Sequence, residues 1–165
     1  MKILITGGNS ATTLKILKAF AEHEVILADY GEMPSFSALN YKFISLGDKN
    51  DDTIAHSLLN NCLDQEVDAI LPIREFEVEP VAKAKVLFNE FNIETLLPNL
   101  EVLKSYSKPN ALVKYDEWVA FRAGEVLFTT VVDAELTSFG KEAHLNGVFN
   151  FNKLEAVANL RLYTI

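Results

Sequence analysis

Three groups of residues have the types and spacing to do chemistry. The first is Thr6-Gly7-Gly8-Asn9-Ser10-Ala11, which joins a short apolar run to a helical pattern. A glycine turn at a helix start gathers backbone N–H groups and the positive end of the helix dipole, which suits an anion. Gly7, Gly8, Asn9, Ser10 and Ala11 are therefore candidate ligand contacts, with the N–H groups of Gly8, Asn9 and Ser10 as the cradle. The same two glycines equally suit a sharp strand-to-helix turn with no ligand. The second group is a single acid, Asp29, closing a second apolar run. An acid at that place is what a dinucleotide site uses to hold a ribose. The third is Arg74, Glu75, Glu77 and Glu79. These could grip a charged substrate or a neighbouring domain, or simply form a solvated helix start favoured by the dipole.

Other chemistries find no support. The turn lacks the later glycines of G-x-G-x-x-G, and it matches the short-chain dehydrogenase pattern only at Thr6-Gly7. Ala11 and Thr13 stand where that pattern has glycines, and no Tyr-x-x-x-Lys pair occurs. An NAD(P)-binding short-chain dehydrogenase or epimerase stays open as an alternative through Thr6-Gly7-Gly8 and Asp29. There is no P-loop and no Gly-x-Ser-x-Gly elbow. His23, His56 and His144 lack metal-ligand spacing, so no metal site is expected, and no catalytic residue or cofactor is assigned. Cys62 falls on an apolar helical face and reads as core. Trp118 near Phe121 reads as packing.

The elements that must position these residues follow from periodicity. Lys2 to Thr6 is a buried parallel strand. Ala11 to Glu22 is an amphipathic helix with Leu14, Ile16, Leu17, Phe20 and Ala21 on its apolar arc and Asn9 or Ser10 as N-cap. Glu24 to Ala28 and Tyr41 to Leu46 are strands. A helix capped by Asp51 or Asp52 runs to about Asp64 with Ile54, Leu58, Leu59 and Cys62 inward. Asp68 to Ile73 is a fourth strand. Glu79-Pro80 starts a helix whose stripe is Val81, Ala84, Leu87, Phe88 and Phe91, since proline fits a first helical turn. Ile93 to Leu97 is a fifth strand. This alternation predicts the α/β class: a Rossmann-like, mostly parallel sheet with helices on both faces. Ligands in such sheets bind beyond the carboxyl ends of the strands, so the candidate rim is Gly7 to Thr12, Asp29 to Asn40 and Ile73 to Glu79.

The last third changes character. Leu100 to Tyr106 and Pro109 to Trp118 read as short helices or loops. Val119 to Arg122 and Val126 to Val132, separated by Ala123-Gly124-Glu125, carry a hairpin signal. Val148 to Phe151 and Leu160 to Ile165 read as further strands, with the terminus packed. The expected organisation is a sheet domain over 1–108 and a small β-rich C-terminal extension over 109–165.

Composition bounds the partners. With 165 residues, 49% of them hydrophobic, the chain can bury a core without metal or disulfides. A net charge of −8 argues against nucleic acid and anionic membrane. The single cysteine fits a reducing compartment. No signal peptide or apolar run of about 18 residues is seen, and a cytoplasmic location is expected.

Taken in order, several segments resemble the domain that precedes the ATP-grasp fold in carbamoyl-phosphate synthase large-subunit-like ligases. They are Lys2-Ile3-Leu4-Ile5-Thr6-Gly7-Gly8, Leu27-Ala28-Asp29, Val67-Asp68-Ala69-Ile70-Leu71-Pro72 with its acidic cluster, and Leu97-Pro98-Asn99 leading to Ser107-Lys108. Ser107 stands where the family usually has an aspartate, and Ile73 where a small hydroxyl residue is common. The resemblance implies that an ATP-grasp module should begin near Lys108. The residues after Lys108 are far fewer than that module requires. They contain no glycine-rich flap, and Glu125, Asp133, Glu135, Glu142 and Glu155 show no Glu-x-Asn pattern for magnesium. The expectation is a truncated pre-ATP-grasp domain that binds a small anionic ligand or a separate ATP-grasp subunit, without ligase activity of its own. The β-rich extension is expected to serve as a cap, a remnant or a homodimer surface.

Overall fold

A computed structural model describes residues 1–107 and 112–165. Lys108 and Pro109, which figure in the family resemblance and in the predicted Pro109–Trp118 segment, lie outside the described residues. The chain falls into two compact units, Met1–Thr95 together with Ile165, and Leu96–Thr164.

The first unit is built on β1 (Lys2–Ile5), β2 (Glu24–Asp29), β3 (Tyr41–Ser45), β4 (Ala69–Leu71) and β5 (Glu94–Thr95). They lie in the order β3-β2-β1-β4-β5, and every pairing is parallel. The chain leaves β1 in one direction for β2 and β3, then crosses back to lay β4 on the other side of β1. That reversal is the point at which open α/β sheets hold ligands. Ile3, Leu4 and Ile5 on β1, Val25, Ile26 and Leu27 on β2, and Ile70 and Leu71 on β4 are all buried. These runs are apolar on both sides because a parallel sheet covered on both faces exposes neither.

The connecting helices are α1 (Ala11–Ile16), α2 (Ile54–Asp64), α3 (Glu75–Lys83) and α4 (Lys85–Glu90). Three of them depart from the sequence expectation. The predicted helix from Ala11 to Glu22 ends at Ile16 and tightens into a 3-10 turn over Leu17–Phe20. Ile16 and Phe20 are buried as expected, while Leu14, on α1 itself, is 47% exposed and Ala21, beyond the 3-10 turn, is exposed. Thr53, and not Asp51 or Asp52, is the N-cap residue of α2. The helix expected from Glu79-Pro80 begins four residues earlier, at Glu75, because Arg74 is extended and acids at Glu75 and Glu77 suit a first turn. Pro80 therefore lies inside α3, where its ring removes one backbone donor. The helical run is interrupted at Ala84 (φ −90°, ψ 7°) before α4, and Phe91, expected inward, is exposed.

The second unit contains α5 (Leu100–Ser107), β6 (Glu117–Arg122), β7 (Glu125–Thr129), α6 (Ala134–Glu142), β8 (Gly147–Phe151) and β9 (Arg161–Leu162). Its strands form an antiparallel sheet in the order β7-β6-β8-β9. The predicted hairpin is present, turning through Ala123 and Gly124, both at positive φ (49° and 81°), as a two-residue hairpin turn requires. Trp118 is buried and stacks on Phe128, with ring centroids 4.5 Å apart. Sequence reading missed α6. Its signal is Asp133, whose side chain accepts the Leu136 N–H at 2.8 Å and caps the helix.

Candidate functional site at the carboxyl edge of the parallel sheet

The residues singled out in the first unit converge at the carboxyl ends of β1, β2 and β4. Gly7 has φ +66°, a left-handed conformation that glycine reaches without strain. Gly8 lies against the backbone of β2, and a Cβ there would come within 2.9 Å of the Leu27 carbonyl carbon and 3.0 Å of the Ala28 nitrogen. The two glycines thus serve the turn itself and the close passage of α1 over the sheet. Ser10 caps α1, its Oγ accepting the Thr13 N–H at 3.1 Å. The Thr13 hydroxyl donates to the Gly7 carbonyl at 2.6 Å.

The cradle expected for an anion is spent internally. The Gly8 N–H donates to Ala28 O at 2.9 Å and the Ser10 N–H to Gly7 O at 2.9 Å. The Asn9 N–H donates to Asp29 Oδ2 at 3.2 Å. The Asp29 carboxylate thus takes the Asn9 donor, and backbone carbonyls take those of Gly8 and Ser10. Asn9 and Ala11 are exposed on the turn's outer side.

Asp29 is 1% exposed. Arg74 donates to it twice, Nε to Oδ1 at 2.8 Å and Nη2 to Oδ2 at 2.7 Å. The Tyr30 N–H donates to Oδ1 at 2.9 Å. Burial alone would raise the Asp29 pKa, but the Arg74, Tyr30 and Asn9 hydrogen bonds outweigh it and hold the carboxyl below its ordinary value. Both oxygens are engaged within the protein, so the dinucleotide alternative, which needs this acid for a ribose, is not favoured. The hydrogen bond from Arg74 to Asp29 raises the guanidinium's pKa in turn.

Glu77 sits on the first turn of α3 and is 0% exposed. Thr6 donates its hydroxyl to Oε2, and Tyr30 donates its hydroxyl to Oε1 at 2.8 Å. The Thr6 oxygen also accepts the Ile73 N–H at 3.0 Å. Burial pushes the Glu77 carboxyl up to about 7, against the opposing hydrogen bonds from Thr6 and Tyr30. The Tyr30 phenol is raised by burial and then by the charge of Glu77. Tyr30 also packs on Phe76, ring centroids 5.6 Å apart, and Lys49 Nζ lies 4.2 Å above the Phe76 ring.

Of the acidic cluster, Arg74 and Glu77 join the turn and Asp29, while Glu75 and Glu79 are exposed. The Glu75 N–H and the Ile165 N–H form a pair of backbone hydrogen bonds, the first to Ile165 O and the second to Ile73 O. Those bonds tie the terminal backbone, while Ile165 itself is 37% exposed. Thr6, Tyr30 and Thr13 were not among the candidate contacts drawn from the sequence. Tyr30 had a signal in standing beside Asp29, and Thr6 in being the one hydroxyl that closes an apolar strand. Cys62 is buried, and burial pushes its thiol up to about 12. Among the described residues no group of three or more His, Cys, Asp or Glu converges as a metal site, and no helix is long and apolar enough to cross a membrane.

The fold and this edge define an α/β domain with a Rossmann-like strand order and a tied carboxyl rim. No protein-family model and no curated protein sequence matches the chain. Among solved structures, it is similar to the biotin carboxylase subunit of pyruvate carboxylase, at 16% identity and a TM-score of 0.42, over 90% of this chain and 44% of that one. It is also similar to the biotin carboxylase domain dimer of Hydrogenobacter thermophilus 2-oxoglutarate carboxylase, solved with MgADP, ADP and bicarbonate. There the identity is 18% and the TM-score 0.44, over 86% of this chain and 40% of that one. The chain spans less than half the length of either structure.

Proposed function

We propose that this chain is a binding module of the pre-ATP-grasp type, with a parallel-sheet unit and a β-rich C-terminal extension. It docks a small molecule or a separate ATP-grasp subunit and does not carry out ATP-dependent ligation by itself. The observation that supports this reading is the closed state of the carboxyl rim. The backbone donors of Gly8, Asn9 and Ser10, which a nucleotide's phosphates would need, are spent on Ala28, Asp29 and Gly7. A rim tied in this way is a rigid surface better suited to a partner than to a phosphate chain. What it offers outward are side chains, chiefly Asn9, Tyr30, the 30%-exposed Arg74 and Glu75.

Isothermal titration with ATP-Mg²⁺ and an ADP-release assay on the purified chain test the proposal. Neither saturable binding nor turnover is expected, and turnover by the isolated chain overturns it. Self-association through the extension belongs to the same reading. Light scattering of the full chain should return the mass of a homodimer, and a monomer at all concentrations removes that part.

A further inference from the structure

Glu77 is a buried carboxyl whose two hydrogen-bond partners differ in what they can do. Thr6 Oγ1 is held in place by the Ile73 N–H it accepts, and its one hydroxyl proton goes to Glu77 Oε2. Tyr30 is only partly buried. Its hydroxyl donates to Glu77 Oε1 at 2.8 Å, and nothing else in the described residues holds that oxygen. A phenol both donates and accepts, so it can serve either protonation state of the acid.

The charged groups that face Glu77 complete the arrangement. From β2 comes Asp29, already neutralised by Arg74, and Arg74 itself precedes α3. Among the described residues, no ion pair includes Glu77. Glu75 and Glu79, on the same helix, are exposed. A fully buried carboxylate held by two neutral donors is costly to keep charged.

We infer that the Glu77–Tyr30 pair is a proton-set switch of the rim, in which proton uptake at Glu77 reverses the direction of its hydrogen bond with Tyr30. In the charged state the phenol O–H points inward to Oε1, and Tyr30 offers the rim only an acceptor. When Glu77 takes a proton from water at Oε1, that O–H donates to Tyr30 Oη. The phenol then turns its own proton outward, and Tyr30 offers the rim a donor. Thr6 keeps its bond to Oε2 in both states, so the strand ends stay tied while the surface changes its hydrogen-bonding sense. The burial that raises Glu77 to about 7 puts this exchange near neutrality. The switch does not depend on which small molecule or partner the rim accepts.

Carboxyl and tyrosine-ring ¹³C NMR of the labelled wild-type chain, from about pH 4 to about pH 9, tests this, because an ordinary glutamate titrates near 4.3. The Glu77 carboxyl and the Tyr30 ring carbon bearing the hydroxyl should move together with one midpoint near neutral pH. Glu77→Gln should abolish the Tyr30 response while leaving the other tyrosines unchanged. A Glu77 midpoint in the ordinary glutamate range overturns the inference, as does a Tyr30 signal that stays flat while Glu77 titrates. The wild-type measurement decides the matter even if Glu77→Gln does not fold.

Discussion

Arg74 holds Asp29 by two parallel hydrogen bonds, Nε to Oδ1 at 2.8 Å and Nη2 to Oδ2 at 2.7 Å. The pair links the end of β2 to the start of α3, two segments 45 residues apart in the chain. Asp29 is out of water, so its charge depends on this fork and on the Asn9 and Tyr30 N–H groups. Arg74→Met should destabilise the first unit by about 2–3 kcal/mol, below the usual figure for a fully buried pair because water reaches the arginine side. Adding Asp29→Asn should recover part of that loss. Urea unfolding followed by far-UV circular dichroism measures both, and a single variant as stable as wild type contradicts this role.

The pH dependence of stability follows from two carboxyls shifted in opposite directions. Asp29 is depressed in the folded state, so its contribution is present above the ordinary value of 3.8 and is lost as pH falls through its folded value. Glu77 is raised, so its contribution is complete below 4.5 and is lost as pH rises towards about 7. These two groups therefore favour a stability maximum at mildly acidic pH. The decline from Glu77 across that interval is on the order of 3 kcal/mol. Glu77→Gln should flatten the decline on its alkaline side. Urea midpoints measured at a series of pH values give the answer, and a wild-type curve that rises steadily to pH 8 would rule it out.

Gly8 has a steric requirement independent of any ligand. An added Cβ meets the carbonyl carbon of Leu27 and the nitrogen of Ala28, which are backbone atoms of a central strand and cannot rotate away. Gly8→Ala should cost about 2–3 kcal/mol through the resulting shift of α1 from the sheet. Ala11→Gly, at an exposed position in the same segment, should cost no more than about 1 kcal/mol. Thermal melts of the two variants distinguish a packing requirement at Gly8 from general sensitivity of the turn.

Trp118 is the chain's one tryptophan and reports on the second unit. It lies on β6 against Phe128 of β7, with the rings stacked at 24°. Phe128→Ala should remove that contact at a cost of about 2 kcal/mol, less than for a fully buried phenylalanine because Phe128 is only partly buried. The tryptophan emission should shift to the red in the folded state and its unfolding midpoint should fall. An unchanged spectrum would mean that the hairpin does not shield the indole.

Much of the first unit was legible in the sequence because its signals are local. The apolar runs at Ile3–Ile5, Val25–Ala28 and Ala69–Leu71, spaced by helical patterns, specify a parallel sheet without reference to distant contacts. Asp29, Arg74 and Glu77 were singled out by type and place. Their mutual pairing was not visible, since residues separated by more than forty positions meet only once the crossovers are laid down. The Glu75 start of α3 was obscured by Pro80, which marks a first turn in most helices but is tolerated here in the interior. In the second unit α6 was missed because its cap and short apolar face lie beside a run rich in β-formers.

The sequence by itself determined the parallel sheet, the sharp glycine turn after β1 and the acidic character of the rim. These depend on side-chain periodicity, backbone freedom at glycine and charge type, each a property of neighbours along the chain. Only the tertiary structure decided where the turn's N–H groups point and what the acids do. Once β1, β2 and β4 lie side by side, the Asn9 N–H meets Asp29, Asp29 meets Arg74, and Tyr30 and Thr6 meet Glu77. Donors and acids that look free in the sequence satisfy one another in the fold, because burying any of them unpaired would cost more than the pairing does.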